Sequence, residues 1–293
     1  MELSVVIPLF NGAATIERSV RSLAVVRERA RAEVVVVDDG SRDDGATVAR
    51  RALDALGFAA STVLVQANAG SAAARNRALV HASGRWVVFL DADDELVADP
   101  LALVAAAPDD ASAVTAAAVV ERDGHTLLRY RPPPLAGARA RRVLSSRNPL
   151  PISAVVVRRE LIEHPFDVGL RYLEDWDFWL RNRALFERPR REPRVVLTRI
   201  HAHGGNKSSQ FAAIGRCRER IAEVRLAGKD GALGTLERNN WRLQREIGRV
   251  LQGLRPRWSN AFAVPCCPFL YAKFLAHALA SRRVLARDPY APS

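Results

Sequence analysis

Three carboxylates stand within four positions of one another at the end of an apolar segment. The segment is Val87–Leu90, and Asp91, Asp93 and Asp94 follow it directly. Carboxylates this close repel one another unless a positive charge lies among them. At the end of a strand, Asp91 and Asp93 would point to the same side. Such a pair suits Mg²⁺ or Mn²⁺, which bind oxygen ligands and leave positions for water and phosphates; an acidic surface turn is the competing interpretation.

The first hundred residues alternate between strand-like and helix-like segments. The strand-like ones read LSVVIPLF, EVVVVDDG, STVLVQA and RWVVFLDA. Four such β-α units with short connections predict a mainly parallel sheet flanked by helices, and ligands of such sheets bind at the carboxyl ends of the strands. The residues predicted at this edge are Pro8, Phe10, Asn11, Asp38, Asp39, Gly40, Ser41, Asn68, Gly70, Asp91 and Asp93.

Several polar residues near this edge have two interpretations each. Asp38 and Asp39 can cap a helix or form an Asx-turn, which we favour for Asp38; alternatively, a carboxylate there binds a ribose hydroxyl or a pyrimidine N–H. Arg75 can pair with a phosphate or with the acidic edge itself. Asn76 is either part of the site or an ordinary helix residue. Thr15 is predicted to cap the first helix.

A second acidic pair, Glu174 and Asp175, begins the helical segment LEDWDFWLR. Acidic residues in a first turn complement the helix dipole, which is the structural interpretation of the pair. The aromatic residues around it offer a functional one, because Trp rings often stack on the apolar faces of sugars. For Phe178 and Trp179 we favour core packing.

Between these motifs the chain changes character. Two strands are predicted to meet at Asp123-Gly124, a hairpin signal. Further on, a strand leads into the loop HAHGGNKSS, where His203 could complete a metal shell and Lys207 could meet phosphate charge. A lone loop histidine is more often not a metal ligand, so the spacing alone is weak support for His203 as one.

Composition limits the class of protein. A hydrophobic content of 48% over 293 residues is ample for a buried core. The three cysteines have neither a disulfide pattern nor a zinc spacing, and the N-terminus lacks the features of a signal peptide, so we expect a cytoplasmic protein. P-loop and dinucleotide-binding glycine patterns are absent from the sequence.

The net charge of +12 is concentrated at the end of the chain, where residues 201–293 hold 16 basic and 6 acidic residues. Nucleic-acid motifs do not accompany the charge, so we expect no nucleic-acid partner. The segment 255–287 combines arginines with an apolar stretch containing Trp258 and Tyr271. It is predicted to lie on an anionic membrane surface, or else to pack on the rest of the chain or on a second subunit of a homo-oligomer.

Taken together and in this order, the motifs resemble those of the family 2 glycosyltransferases of GT-A fold. The segments that carry the resemblance are SVVIPLFNGAATIERSVRSL, VVVVDDGSRDD, NAGSAAARNRAL, GRWVVFLDADDEL and LEDWDFWLR. They cover roughly residues 1–210, which are predicted to form the nucleotide-sugar-binding and catalytic domain. Residues 211–293 are predicted to form a helical, basic C-terminal extension outside the shared pattern.

The resemblance implies a role for each matched position. A nucleotide-sugar donor, usually a UDP- or dTDP-sugar, and Mn²⁺ or Mg²⁺ are implied. The implied nucleoside pocket is Pro8, Phe10, Asn11, Glu17 and Asp39, and the residues beside the donor are Asn68, Gly70 and Arg75. Asp91 and Asp93 match the D-x-D motif, His203 a loop histidine of many members, and Glu174-Asp175 the E-D pair with Asp175 as catalytic base.

The expected reaction is transfer of one sugar to an acceptor hydroxyl with inversion. The acceptor class stays open between a carbohydrate, a lipid-linked and another hydroxyl compound, in a pathway such as cell-envelope polysaccharide synthesis. The Q-x-x-R-W motif of processive members is absent from the sequence, which favours a single addition per encounter. Two alternatives stay open: a sugar nucleotidyltransferase, and a non-catalytic nucleotide-sugar-binding protein.

Overall fold

The structure is a computed structural model that describes residues 1–58, 60–202, 210–227, 233–254 and 272. Contacts divide the chain into two compact units. The first comprises Met1–Ala140 and Pro149–Gly204, and the second Arg141–Asn148 and Gly205–Ser293. The segment 141–148 thus groups with the C-terminal part of the chain, which the predicted domain boundary at residue 210 did not anticipate; the domain functions attached to that boundary stay predictions.

The first unit is built on a single nine-stranded sheet. Its strands run in the spatial order β3-β2-β1-β4-β8-β6-β9-β5, with β7 paired to β6. Their bounds are β1 Leu3–Leu9, β2 Ala32–Asp38, β3 Ala60–Val65, β4 Trp86–Phe89, β5 Glu95–Leu96, β6 Ala113–Arg122, β7 His125–Tyr130, β8 Val155–Arg158 and β9 Pro189–His201.

Helices accompany the strands in both units. Their bounds are α1 Ile16–Ser22, α2 Gly45–Leu56, α3 Ser71–His81, α4 Pro100–Ala105, α5 Gly137–Ser146, α6 Glu174–Arg181, α7 Phe211–Leu226 and α8 Thr235–Leu251. In the part of the chain that the structure describes, none of these helices has the length and apolar character needed to cross a bilayer.

The predicted parallel half of the sheet is confirmed. β1 pairs in parallel with both β2 and β4, and β2 pairs in parallel with β3. Every residue of β2 is buried, which explains its unbroken run of valines: both faces of a parallel strand are covered. The shared direction brings the carboxyl ends of these strands to one edge.

The other half of the sheet has mixed directions. β8 runs antiparallel to β4 and β6, whereas β6 and β9 are parallel. The hairpin at Asp123-Gly124 is confirmed: both residues have positive φ, and β6 and β7 pair antiparallel across the turn. The helix that begins with Glu174-Asp175, α6, lies between β8 and β9 in the chain and is therefore connected to the same sheet as the D-x-D motif.

The second unit contains two helices in close contact. Gly215 on α7 and Gly248 on α8 face each other so closely that a Cβ on either would lie 2.6–2.7 Å from the other's carbonyl oxygen. Buried amides then tie α8 to the segment 141–148: Asn240 donates to Ser145 Oγ at 3.0 Å, and Gln244 Nε2 donates to Ser146 O at 2.6 Å. This unit contains the helices predicted after residue 210.

One local prediction is wrong. Thr15 precedes α1, but its hydroxyl makes no capping bond and donates instead to Gly12 O at 3.3 Å. Its backbone is in the helical region, with φ −119° and ψ −32°, whereas capping hydroxyls usually require an extended residue.

Candidate functional site

The three carboxylates after β4 form one cluster. Ligand oxygens of Asp91, Asp93 and Asp94 all lie within 4.8 Å of one another. Arg18 Nη2 holds the turn by donating to the Asp93 carbonyl at 2.7 Å, and the Asp94 N–H donates to Asp91 O at 3.0 Å. The sequence therefore places three carboxylates at the edge where ligands of such sheets bind.

The repulsion within this cluster is relieved in two ways. Arg75 Nη2 contacts Asp91 Oδ1 at 2.6 Å and supplies a positive charge. Burial raises the pKa of Asp94 to about 9, and the negative charges of Asp91 and Asp93 add to the rise. Asp94 is 4% exposed, and its burial favours the neutral, protonated carboxyl, which lessens the repulsion within the cluster.

Arg75 also reaches the second acidic pair. Its Nη1 contacts Glu174 Oε1 at 3.2 Å, so one guanidinium joins carboxylates from β4 and α6. The side chain is 4% exposed. Burial alone would lower the pKa of Arg75, but Asp91 and Glu174 outweigh it and the pKa is raised, so the group stays charged. Of the two partners predicted for Arg75, the structure shows the acidic edge.

The acidic pair lies at the start of α6, as its sequence predicts. Glu174 is buried, and its Oε1 accepts a second hydrogen bond, from Ser71 Oγ at 2.7 Å. Asp175 is more exposed and accepts from the Trp176 N–H at 2.7 Å through Oδ1. Leu173, just before the helix, has a φ of +62°, a strained conformation for leucine that is typical of functional segments.

The aromatic residues of this helix belong to the core. Phe178 and Trp179 are fully buried, which confirms the favoured interpretation, and Trp176 is 1% exposed. Phe178 stacks on Phe166 with ring centroids 4.0 Å apart. Stacking of these rings on a sugar is therefore excluded for this conformation, and their packing fixes α6 against the sheet.

Asn76 has a structural role. Its Nδ2 donates to Phe166 O at 2.9 Å, and the Phe166 N–H donates to its Oδ1 at 2.8 Å. This two-way amide clamp holds the segment that leads into α6. A direct role for Asn76 in the site stays a prediction.

On the opposite side of the edge, the loops after β1 and β2 are joined. The Asn11 N–H donates to Ser41 Oγ at 2.9 Å, and the Arg42 N–H donates to Asn11 Oδ1 at 2.8 Å. Asp38 accepts from the Ser41 N–H at 3.0 Å, three residues further on, so its carboxylate stabilises the turn after β2. Asn11 has a φ of +49° and is thus, like Leu173, a non-glycine residue in the left-handed region.

Asp39 organises the next loop. Its Oδ1 accepts from Gln66 Nε2 and the Ala69 N–H at 2.8 Å each, and its Oδ2 accepts from the Gly70 N–H at 2.7 Å. Asn68 Nδ2 donates to the Asp39 carbonyl at 3.1 Å. Gly70 has a φ of +96°, which suits glycine. The Asp39 side chain thus ties the loops after β2 and β3 together.

The remaining residues of the implied nucleoside pocket are not all on this edge. Pro8 is the penultimate residue of β1, and Phe10 is the first residue after the strand. The Phe10 side chain is 52% exposed. Glu17 lies on α1 and pairs with Arg21 at 2.7 Å. It faces an open groove of about 710 Å³ whose walls come from α1, the turn after it, β5 and β9. Its placement beside the nucleoside stays a prediction without a contact to support it.

His203 and Lys207 lie outside the described residues. The last residue of β9 makes two contacts that the sequence did not suggest: the His201 N–H donates to Asp94 Oδ1 at 3.1 Å, and His201 Nε2 lies 3.5 Å from Glu95 Oε2. Ser71 is a second unanticipated residue of the site. Its signal was weak, because a serine at the start of a helix is ordinarily interpreted as a cap.

The cluster fits a divalent cation. It offers carboxylate oxygens within a short distance of one another, and such hard ligands suit Mg²⁺ or Mn²⁺. Asp91 is 38% exposed, so a ligand can reach it while Arg75 contacts its Oδ1. Because Arg75 joins this cluster to α6, a cation site and the Asp175 carboxylate belong to one arrangement of charges.

This chain is similar to proteins of known family. The sequence profile of the family described as Glycosyl transferase family 2 matches residues 4–166. One curated relative, the Escherichia coli protein UDP-Glc:alpha-D-GlcNAc-diphosphoundecaprenol beta-1,3-glucosyltransferase WfgD, is 35% identical over 102 residues, which are 34% of this chain and 38% of the relative. The alignments with the first curated relatives span 26–27% of those proteins' lengths.

Solved structures match over nearly the whole chain. S. aureus TarS 1-349 in complex with UDP superposes with a TM-score of 0.66, 19% identity, and coverage of 98% of this chain and 91% of that one. A Pyrobaculum calidifontis mannosyltransferase in complex with GDP-Man and Mn²⁺ superposes with a TM-score of 0.62 and 22% identity, and the match covers 97% of this chain and 78% of that one. At these identities the likeness concerns the fold, and it confirms the predicted GT-A-type α/β architecture.

Proposed function

This chain belongs to glycosyl transferase family 2, and we propose that it transfers a single sugar from a nucleotide-sugar donor to an acceptor hydroxyl. The observation that carries the proposal is the Arg75 contact, which joins the carboxylate cluster after β4 to the Glu174-Asp175 pair. Donor-side and acceptor-side groups are then adjacent, as a displacement reaction requires.

On the donor side, Asp91 and Asp93 are the proposed cation ligands, with His203 as the further ligand that the family resemblance implies. A bound Mn²⁺ or Mg²⁺ would neutralise the leaving nucleoside diphosphate. Asn11, Asp39, Asn68 and their neighbours are proposed to hold the nucleoside. UDP is the first candidate, since TarS was solved with UDP and the name of WfgD specifies UDP-Glc.

On the acceptor side, Asp175 is the proposed general base. It accepts the proton of the acceptor hydroxyl as the oxygen attacks the anomeric carbon. The bond between that carbon and the diphosphate oxygen breaks, and the electron pair leaves with the nucleoside diphosphate. A single displacement of this kind inverts the configuration at the anomeric carbon.

The acceptor and the cellular site are proposed from the relatives. The name of WfgD specifies a diphosphoundecaprenol-linked acceptor. We therefore propose a lipid-linked acceptor at the inner face of the membrane, in cell-envelope polysaccharide synthesis. Membrane contact through 255–287 would serve this role; apart from residue 272, that segment lies outside the described residues. Co-sedimentation with anionic vesicles at low salt is expected; absence of binding there would argue against membrane contact.

The experiment that tests the proposed function is a donor panel with Mn²⁺. UDP- and dTDP-sugars are incubated with the full chain and candidate acceptors, and release of nucleoside diphosphate is measured. Metal-dependent release with at least one donor is expected. UDP binding without release by any donor–acceptor pair would favour the non-catalytic binding protein, and release of pyrophosphate from a sugar phosphate and a nucleoside triphosphate would favour a nucleotidyltransferase.

A further inference from the structure

Arg75 is the one described residue whose guanidinium contacts both acidic motifs of the site. Asp91 and Glu174 are separated by more than eighty positions in the sequence, yet each takes one terminal nitrogen of the same buried group. The guanidinium carbon also lies 5.5 Å from the centroid of the Phe166 ring, so its plane is packed as well as hydrogen-bonded.

Resting on the proposed function, we infer that Arg75 is a positioning residue that couples cation and donor binding at Asp91 to the placement of Asp175. The link runs from Asp91 to Arg75, from Arg75 to Glu174, and from Glu174 to its neighbour Asp175 in the first turn of α6. Glu174 then acts as the anchor of this helix and leaves proton transfer to Asp175.

The geometry favours this role over direct contact with the donor phosphates. Both terminal nitrogens of Arg75 are engaged, and its side chain is 4% exposed. Glu174 Oε1 accepts from Ser71 as well as from Arg75, and at 7% exposure it is poorly placed to meet an acceptor hydroxyl. A planar guanidinium holds two carboxylates in a fixed relative direction, which a single ammonium group cannot do.

Electrostatics predicts the direction in which a cation at Asp91 and the charge of Arg75 affect each other. A cation bound at Asp91 repels Arg75 and weakens its contact with that carboxylate. Arg75 then interacts more strongly with Glu174, so α6 is held more firmly when the cation site is filled. Coupling between two sites is reciprocal, and it follows that the charge of Arg75 lowers the affinity of the cluster for the cation.

The test uses the full chain and measures Mn²⁺ alone, then UDP with Mn²⁺, by calorimetric titration. Arg75→Gln is expected to raise the affinity for Mn²⁺ by roughly tenfold and to leave UDP affinity at saturating Mn²⁺ within about threefold. It is also expected to lower kcat by about 10–100-fold, the usual cost of losing a partner behind a ligand. Arg77→Gln, on the same helix and bound to the Val65 carbonyl, is the matched control and should change none of these.

Glu174→Gln is expected to change the Mn²⁺ affinity in the opposite direction to Arg75→Gln. With Glu174 neutral, Arg75 loses the charge attraction of that partner and interacts more strongly with Asp91, so Mn²⁺ affinity is expected to fall. In the double variant Mn²⁺ affinity should return to the Arg75→Gln value, because Glu174 acts on the cation through Arg75. Hydrogen exchange of the amides of residues 173–181 is expected to slow when wild-type protein binds Mn²⁺ and UDP, and to lose this response in either single variant.

The outcomes separate this inference from the proposed function. A fall of UDP affinity by tenfold or more in Arg75→Gln would show that Arg75 binds the donor directly and would overturn the inference while leaving the glycosyltransferase intact. Equal changes of Mn²⁺ affinity in the two single variants would overturn it as well. Wild-type protein that binds neither Mn²⁺ nor UDP would overturn both. If Arg75→Gln does not fold, Glu174→Gln still decides through its Mn²⁺ affinity and exchange response.

Discussion

The carboxylates at the two ends of the same parallel strands are stabilised in different ways. At the amino end, Glu33 on β2 directs one oxygen at four donors: Ser4 Oγ, the Ser83 N–H and Oγ, and the Gly84 N–H, at 2.5–3.0 Å. At the carboxyl end, three carboxylates share one turn and depend on Arg75 and on a proton at Asp94.

The difference lies in which groups satisfy the charge. At the amino end, the hydrogen bonds to Glu33 come from the neighbouring strand β1 and from the turn before β4. Gly84 in this turn is so close to β1 that a Cβ would lie 2.5 Å from the Ser4 nitrogen. Such a closed arrangement stabilises the fold and leaves no space for a ligand. The carboxyl end keeps Asp91 partly exposed, and we propose that its charges exchange partners when a cation binds. The comparison therefore predicts that substitutions at the two ends affect different properties.

The largest effect is expected at the carboxyl end from Asp93→Ala. Loss of an outer partner of a metal ligand typically costs 10–100-fold, so loss of a ligand should lower metal-dependent UDP affinity by more than about 100-fold and remove transfer. Stability should hold or rise slightly, because one of three repelling carboxylates is gone. Calorimetric titration and thermal unfolding measure both; unchanged UDP affinity with Mn²⁺ would contradict the cation site.

Asp175→Asn should separate catalysis from binding within the same end. The amide keeps the size of the side chain but cannot accept the proton, so the transfer rate is expected to fall by about 10²–10⁴-fold. UDP affinity should remain near that of wild type, since Asp175 serves the acceptor. If the variant turns over at nearly the wild-type rate, another carboxylate is the general base, and Asp177 would be tested next.

The amino end should respond in stability instead. Glu33→Ala leaves buried donors of Ser4, Ser83 and Gly84 without their acceptor, which is expected to lower the free energy of unfolding by about 2–3 kcal/mol. Activity per folded molecule should be unchanged, because the site lies at the other end of the strands. Denaturant titration gives the first quantity and active-site titration the second. A loss of activity without loss of stability would erase the distinction between the two ends.

Asp39→Ala tests whether one residue can both stabilise the fold and bind the nucleotide. Its carboxylate organises the loop of Asn68 and Gly70, and it is also the proposed partner of the nucleoside base. A lost hydrogen bond to a charged group predicts about tenfold weaker binding of UDP and dTDP alike, whichever sugar they carry. Asp38→Ala, which removes only the turn to Ser41, is the control. Wild-type affinity in the Asp39 variant would make Asp39 purely structural.

The smallest effect is the pH dependence of the amino end. Burial alone would raise the pKa of Glu33, but hydrogen bonds from Ser4, Ser83 and Gly84 outweigh it, and the pKa is lowered. A carboxyl with a lowered folded pKa contributes stability above its unfolded pKa of about 4.3 and loses that contribution as the pH falls through the folded value. The stability difference between wild type and Glu33→Gln should therefore shrink below about pH 4 in acid unfolding curves, and a constant difference would exclude this linkage.

The sequence by itself determined the parts of the fold that depend on near neighbours. The valine run of β2, the alternation of strands and helices, and the Asp123-Gly124 turn each reflect local periodicity or backbone preference. The acidic residues of the D-x-D motif could be placed at a strand end for the same reason. Because strands that run in parallel end at one edge, the sequence also indicated which polar residues would gather there.

Tertiary structure alone decided which partners those residues take. The sequence left Arg75 between a phosphate and the acidic edge, and its contacts with Asp91 and Glu174 arise only because β4, α3 and α6 meet. The Asn76 clamp and the Glu33 hydrogen bonds from Ser83 and Gly84 likewise join segments at least fifty positions apart. Periodicity describes which face a residue is on, whereas a buried charge is stabilised by whichever group the folded chain brings within hydrogen-bond distance, and that distance is fixed by packing.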